Sequence, residues 1–244
     1  DLQTLSGCGG DRRLRRFLDL QIRLYSQQPS DRTAALYGAT VLQMCQAPLG
    51  LWHLQGSMQS LSDRLVSAFE RDGGQLLLRH RAQELKRSSD AQGWSVCVEA
   101  PGKRQLRLKT RDLVCSLPPQ CLPGLMPERS QMPDDYRHHL DTLGAPSGAI
   151  VFYGALERHH LPDDCPGHLQ RDGNTPGSLF MSISADGDGR APEGQATVIA
   201  SVFTSPQGWH DMDREAYQQR KNELLTSIRQ GVNSALNLPD HCWL

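Results

Sequence analysis

Apolar positions recur at helical spacing in the first part of the chain. Over Asp11–Gln28 the apolar side chains fall on one face and arginines gather on the opposite face, with Asp11 suited to the N-cap and Pro29 to the far end. This stripe predicts a surface helix that packs its apolar face inward. A second interpretation is that the arginine-rich face, with five arginines between residues 12 and 23, meets anionic lipid headgroups.

Two further helices are predicted before the first strand. Asp31–Cys45 repeats apolar residues at helical spacing and is capped by residue 30 or 31. The next helix begins at Ser57 or Ser60 and ends at Gly73, because glycine readily takes the left-handed conformation that closes a helix.

Apolar runs and alternating patterns predict strands from residue 75 onward. Gln75–Arg79 and Asp112–Leu117 are short apolar runs, and the second is apolar enough to be buried on both faces. Between them, Trp94–Glu99 and Gln105–Lys109 alternate apolar and polar side chains around a turn that contains proline and glycine. This arrangement predicts a β-hairpin.

The remainder of the chain follows a proline-rich loop and combines helices with strands. Its predicted elements are the helices Asp134–Leu143 and Asp213–Leu236 and the strands Ala149–Leu156, Ser178–Ser184 and Ala196–Thr204. Long polar loops with glycine and proline separate the strands, which favours an antiparallel sheet over βαβ units. The predicted fold class is therefore α/β (α+β), with a mixed or antiparallel sheet in this part.

The composition of the 244 residues is that of a globular protein, with 38% apolar and 22% charged side chains. The formal net charge of -1 gives no electrostatic reason to expect a nucleic-acid partner. No apolar run approaches the roughly 18–20 residues that a membrane-spanning helix needs. The seven cysteines contain no Cys-x-x-Cys pair, which favours free thiols in a reducing cytoplasm.

Three short motifs resemble ligand sites but lack the rest of each pattern. Gly7–Gly10 has neither the preceding apolar strand nor the third glycine of a dinucleotide loop. The paired histidines at 138–139 and 159–160 have no second cluster of metal ligands close in sequence. Asp186–Gly189 lacks the later acidic positions of a calcium loop and is interpreted as a solvated turn between strands. No metal site is predicted.

A family resemblance is carried by the stretch between residues 51 and 119. Gly56–Leu61, with Leu65 and then Gly73-Gly74, resembles the "Gly-Gly-x-x-x-Leu … Leu … Gly-Gly" block of flavoprotein oxidoreductases in the phytoene desaturase and carotenoid isomerase family. Ser57 stands where that family usually has a second glycine. Arg81–Leu85 is similar to the short strand that follows the block.

Other segments extend this resemblance over most of the chain. Leu113–Pro119 is similar to the family's returning strand, which ends in a Pro-Pro or similar dipeptide. Ser182–Ser184 and Arg190–Gly194 resemble its "Ser-x-Ser … Ala-Pro-x-Gly" loop. Leu36–Thr40 and Pro48–Leu54 are most similar to the cyanobacterial carotenoid 3',4'-desaturase branch.

The resemblance implies a partial FAD/NAD(P)-binding flavoprotein fold that uses FAD as its cofactor. The expected flavin contacts are Gly56, Ser57, Ala82, Leu117 and Pro118. No residue is identified as a catalytic acid or base, which suits flavin chemistry because the cofactor performs the hydride step. The implied domains are a helical part of the substrate domain over residues 1–55, an internal segment of the FAD-binding domain over 56–120, and a substrate-domain sheet and helix over 121–244.

The implied activity is desaturation of a carotenoid, a polyene lipid, by a cytoplasmic protein in peripheral contact with a membrane. Carotenoid cis–trans isomerisation and flavin amine oxidation are the alternatives among enzymes. An isoprenoid-lipid escort protein of the same fold type, which uses no flavin, is the alternative outside them. Because the family's two terminal flavin-binding segments have no counterpart in these residues, we expect a fragment of a longer enzyme.

Overall fold

The computed structural model describes residues 10–44, 50, 52, 54–88, 92–126, 132–144, 146–173, 177–209 and 211–244. The predicted loop at Gly7, Cys8 and Gly9, and Pro48, Leu49, Leu51 and His53 of the family segment, lie outside these residues. The chain divides into two compact units, one of Asp1–Arg64 with Ala145–Leu244 and one of Leu65–Gly144. Each unit contains helices and an antiparallel sheet, which confirms the predicted α/β (α+β) class.

Along the chain, groups of helices alternate with groups of strands. The first helices are α1 (Arg12–Ser26), α2 (Ala35–Met44) and α3 (Met58–Arg71). They are followed by β1 (Arg81–Arg87), β2 (Trp94–Ala100), β3 (Arg104–Thr110), α4 (Leu122–Leu125) and α5 (Asp134–Thr142). The last elements are β4 (Gly148–Glu157), β5 (His168–Arg171), β6 (Leu179–Ile183), β7 (Gln195–Thr204) and α6 (Arg214–Leu236).

The larger unit is built on a four-stranded antiparallel sheet in the order β4-β7-β6-β5. Alternate residues of β7 are buried, as the period of a strand requires for one face packed on a core. Helix α6 contributes Ile228 and Val232 to the same core, where Leu156, Met181 and Val198 have no exposed surface. Each such side chain stabilises the unit by about 1.5–3 kcal/mol. The three predicted strands and the final helix are thereby confirmed, whereas β5 was missed.

Helices α1 and α2 lie in the same unit. The Asp11 side chain accepts hydrogen bonds from the Arg13 and Leu14 amides, which confirms the predicted N-cap of α1. The inward stripe is confirmed at Ile22, which is fully buried, but Phe17 is 55% exposed.

The arginine-rich face of α1 also contacts protein. Arg16 forms an ion pair with Asp172, which follows β5. Arg23 lines a small cavity of about 120 Å³ against Phe180 of β6 and Phe203 of β7. Fewer arginines of this face are therefore available to contact lipid headgroups than the sequence pattern suggested.

Helix α2 begins four residues later than predicted, because Ser30–Arg32 forms a separate 3-10 turn. The buried Ser30 hydroxyl donates a hydrogen bond to Asp19 of α1, and Ser30 does not cap α2 because that helix begins only at Ala35. Helix α3 begins after Ser57, whose hydroxyl accepts a hydrogen bond from the Gln59 amide at 3.2 Å. It ends at Arg71, and Gly73 takes the predicted left-handed conformation just after it, with φ +87°.

The smaller unit contains the three-stranded antiparallel sheet β1-β2-β3. The predicted hairpin is confirmed, with Val96 opposite Leu108 and a turn in which Gly102 has φ +77°. The core of this unit joins Leu85 and Val98 of the sheet to Leu140 of α5 and to Met126 and Met132.

Two predicted strands are not formed. Gln75–Arg79 and Asp112–Leu117 pair with no neighbour among the described residues, and the expected burial of the second run is wrong, since Val114 is 92% exposed. A strand requires hydrogen bonds from an adjacent strand, and an apolar run does not supply that neighbour by itself. Of the described helices, none has both the length and the apolar character needed to cross a membrane.

Candidate flavin-binding cavity

The largest of the described cavities lies within the smaller unit, beside the start of β1. Its volume is about 980 Å³, near the upper end of the range of small-molecule sites. We call it the β1 cavity. It is lined by His80, Arg81, Ala82, Gln83 and Leu85, by Val96 of β2, by the five residues of Leu113–Leu117, and by Cys121, Gly124 and Leu125.

Ala82 lines this cavity beside an irregularity of the strand ladder. It lies opposite Val98, and the register between β1 and β2 shifts between Ala82 and Glu84. A bulge of this kind bends the strand and redirects its side chains. Because alanine has only a methyl group beyond its backbone, the wall at Ala82 allows a ligand to approach the strand closely.

A further part of the lining comes from the extended segment Leu113–Leu117. Its backbone is not paired in a ladder with any described strand, and the side chains of Val114 and Leu117 are 92% and 50% exposed. Apolar side chains left in water favour a ligand that covers them, at about 25 cal/mol for each Å² of apolar surface removed from water. The segment therefore supplies the cavity with an apolar wall.

Charged and thiol groups occupy a minor part of the lining. Arg81 is the one permanently cationic side chain among the described lining residues and is suited to an anionic group such as a phosphate. Cys115 and Cys121 are exposed free thiols at the same cavity. The five described cysteines are all free, in agreement with the prediction, whereas Cys8 and Cys45 lie outside the described residues.

The five residues expected to contact flavin are distributed over both units. Ala82 and Leu117 line the β1 cavity, and Pro118 follows Leu117 immediately without being part of the lining. Gly56 and Ser57 belong to the larger unit, where they form the turn that precedes α3. The roles of these residues as flavin contacts stay predictions.

Several lining residues had no signal in the sequence. His80, Val96, Cys121 and Leu125 come from different elements, and only the folded unit brings them to one cavity. Their spacing along the chain follows no motif, so only the structure identifies them.

Metal binding has no candidate in the part of the chain that the structure describes. No group of three or more histidine, cysteine, aspartate or glutamate side chains is placed there to hold an ion. His160 lies near His159 and His241, with ring centroids 4.1 Å and 6.3 Å away, but these contacts involve only histidine rings.

The residues of the β1 cavity suit a flavin. The cavity is large, its walls are mainly apolar, Ala82 leaves room at the strand, and Arg81 supplies a positive charge. Comparison with known proteins gives one family match and no match to any curated protein. The matching family is described as flavin containing amine oxidoreductase, and the match covers residues 7–244. Such proteins carry flavin, typically FAD, as their cofactor. The chain therefore belongs to the flavin-containing amine oxidoreductase family.

Proposed function

We propose that this FAD-dependent oxidoreductase desaturates a carotenoid. The observation that supports the proposal is the β1 cavity, whose lining contains the apolar segment Leu113–Leu117 and the small residue Ala82, in a chain that belongs to a flavoprotein family. The resemblance of residues 51–119 to the phytoene desaturase and carotenoid isomerase family adds the substrate class. A polyene has no charged or hydrogen-bonding group, so its recognition requires apolar surface rather than a polar constellation.

In this proposal the assigned residues of the chain bind and orient the cofactor. Ala82 and Leu117 hold the cofactor, and Arg81 balances its negative charge. The apolar side chains of Leu113–Leu117 exclude water from the site. Bound FAD supplies the hydride acceptor. Desaturation removes a hydride, which passes to FAD, and a proton from the adjacent carbon, and no described residue is assigned as the base that accepts this proton.

A second candidate is oxidation of an amine, which is favoured by the description of the matching family. A carotenoid isomerase would share the substrate but would leave its oxidation state unchanged. The family match supports an oxidoreductase over an isoprenoid-lipid escort protein.

The deciding experiment offers the full-length, flavin-loaded protein a lycopene-type carotenoid and, separately, a panel of primary amines. Desaturation is expected to lengthen the conjugated chain, which shifts the carotenoid absorption to longer wavelength and lowers the product mass by two hydrogens. A geometric isomer of unchanged mass would identify an isomerase instead. Amine-dependent reduction of the flavin without carotenoid turnover would refute the proposal in favour of an amine oxidase. A protein that cannot be loaded with flavin but binds isoprenoids would support the escort alternative.

We further propose that the protein is cytoplasmic and meets the membrane peripherally through α2. The apolar repeat of this helix faces solvent, with Leu36 82% and Met44 54% exposed, while Gly38 and Val41 are buried. An exposed apolar helical face inserts shallowly at a lipid surface, where a carotenoid is dissolved.

Vesicle flotation tests this contact. Leu36→Ser and Met44→Ser are expected to weaken binding to phosphatidylcholine vesicles, because each removes exposed apolar surface from α2. Leu78→Ser is the matched control, since Leu78 is 69% exposed in the smaller unit. Equal flotation of all three variants and the wild type would exclude α2 as the membrane contact.

A further inference from the structure

Strand β3 forms one edge of the sheet in the smaller unit. The strand order is β1-β2-β3, and β3 pairs with β2 over its whole length. No described strand pairs with the other side of β3, so the backbone amides and carbonyls that point away from β2 have no partner in a ladder. This edge is separate from the β1 cavity, whose lining contains no residue of β3.

Basic side chains are concentrated on this edge. The nine residues from 103 to 111 include five cations and no acidic residue, and all five cations are exposed. They are Lys103, Arg104, Arg107, Lys109 and Arg111. Among the described residues, Arg111 pairs with the neighbouring Asp112 at 2.9 Å, and the other four form no ion pair. The edge therefore carries positive charge that the rest of the unit does not neutralise.

The two faces of β3 differ in chemistry. Because side chains alternate along a strand, Arg107 and Lys109 lie on one face and Leu106 and Leu108 on the other. Leu106 packs against the core of the unit, whereas Leu108 is 41% exposed. A strand added to this edge would pair its side chains with those of β3 on the same face. The complementary segment therefore has acidic residues at alternate positions and apolar residues between them.

The turn that leads into β3 also carries a cation. Gly102 and Lys103 have φ +77° and +60°, the left-handed backbone found in the short turns that join adjacent strands. Glycine and asparagine adopt this conformation more readily than lysine does. The positive charge at position 103 thus stands where backbone conformation favours an uncharged residue.

The charge of this edge distinguishes among partners. A second copy of the chain would bring cations against cations, since lysine and arginine on an edge strand oppose the pairing of identical edges. An acidic segment would neutralise the cations and also pair with the free backbone groups, and a lipid surface offers no such ladder. We propose that the edge of β3 binds an acidic, extended segment of a partner protein as an additional strand, with carboxylates opposite Arg107 and Lys109. This interaction is independent of the carotenoid reaction proposed above.

The test titrates the full-length protein with a labelled, end-capped peptide of alternating glutamate and valine, matched to the seven residues of β3. A peptide of alternating glutamate and proline has the same charge, but its prolines cannot donate to a ladder. By fluorescence anisotropy, the glutamate–valine peptide is expected to bind at least about tenfold more tightly. It should also slow hydrogen exchange of the β3 amides. Equal affinity for the two peptides, or no binding of either, would overturn strand addition.

Charge reversal locates the binding edge. Arg107→Glu combined with Lys109→Glu is expected to weaken binding of the glutamate–valine peptide about tenfold or more, because both cross-strand charge pairs become repulsive. The matched control combines Lys221→Glu with Arg229→Glu, which changes the net charge equally at exposed positions of α6 in the larger unit, and it should leave the Kd within about twofold of the wild type. If the β3 double variant does not fold, Arg107→Gln alone decides, with an expected weakening of about threefold. Equal losses in both double variants would overturn the assignment to β3.

An anionic lipid surface is the competing occupant of this edge. Vesicles that contain phosphatidylserine are therefore offered to the wild type and to the Arg107→Glu, Lys109→Glu variant. Vesicle binding that the variant loses, without binding of the glutamate–valine peptide to the wild type, would assign the edge to lipid and overturn the proposal. Peptide binding that the β3 variant loses and the α6 variant retains would support it.

Discussion

Gly154 in β4 lies beneath the indole of Trp243, and its replacement by alanine tests how the C-terminal segment is held on the larger unit. A Cβ atom at this position would lie 2.4 Å from Trp243 Cζ3 and 2.7 Å from Phe152 Cε1. Non-bonded carbon atoms do not approach so closely, so an aromatic ring must move. The backbone pairing beside the indole, between Leu156 and Trp243, restricts how far that ring can shift.

The expected loss of unfolding free energy follows from the contacts that Trp243 would lose. Its indole meets Phe152 edge-on at 5.1 Å, worth about 0.5–1.5 kcal/mol beyond burial. Its Nε1 donates to Asn233 Oδ1 at 3.0 Å, worth about 1 kcal/mol. Their sum of about 2 kcal/mol agrees with the 1–3 kcal/mol typical of overpacking. For a chain of this size, that loss lowers the Tm by about 4–8 °C.

The assay is thermal unfolding followed by tryptophan fluorescence and near-ultraviolet circular dichroism. Gly148→Ala is the control in the same strand, since a Cβ atom there meets its nearest neighbour at an ordinary 3.4 Å. In a Trp243→Ala background, Gly154→Ala should cost much less, because the ring that it displaces is absent. A Gly154→Ala protein that melts within about 1 °C of the wild type would refute this account of the contact.

Three further predictions concern Ser184 at the end of β6, the ion pair between Asp188 and Arg190, and the β1 cavity. Ser184→Ala should lower the free energy of unfolding in urea by about 1–3 kcal/mol, because the buried Ser184 hydroxyl accepts the Thr197 amide at 2.9 Å. The folded-state pKa of Asp188 lies below its ordinary 3.8, so its stabilisation is complete above that pH and is lost as pH falls through the lowered pKa. Acid titration of the unfolding free energy should therefore be flatter in Asp188→Asn. Ala82→Phe should fill the β1 cavity and weaken FAD binding about tenfold in a fluorescence titration, whereas Ala149→Phe, on an exposed position of β4, should leave it unchanged.

Apolar patterning predicted a strand correctly where the adjacent strand that pairs with it is also present nearby in the sequence. The β2–β3 hairpin contains both strands and its own turn within 17 residues, so local sequence determines its pairing. Gln75–Arg79 is equally apolar and forms no strand among the described residues, because strand formation depends on a neighbour that the run does not encode. The same reason applies to Asp112–Leu117.

Residues of the candidate site could be predicted from the sequence only where the family resemblance includes them. Ala82 and Leu117 were named from that resemblance, and the structure places both in the β1 cavity. Cys121 and Leu125 were not, because their proximity to Ala82 depends on how a short helix packs beside β1.

The solvated turn predicted at Asp186–Gly189 is correct only in part. The Asp186 side chain is 80% exposed, but the Asp188 side chain is only 15% exposed. Asp188 was misjudged because its partner Arg190 is only two residues away, whereas the shielding of the pair depends on the end of β6, where Arg190 also donates to Ser182 and Ile183.

The sequence by itself determined the fold class, the caps at Asp11 and Ser57, and the membership of a flavoprotein family, since these depend on local periodicity and motifs. Only the tertiary structure decided which apolar faces are buried and which charges are paired. Burial depends on the surface that other elements bring to a side chain, and residues distant in sequence supply that surface. No other described element covers Leu36 and Met44 of α2, so they are exposed, whereas the end of β6 shields the Asp188–Arg190 pair.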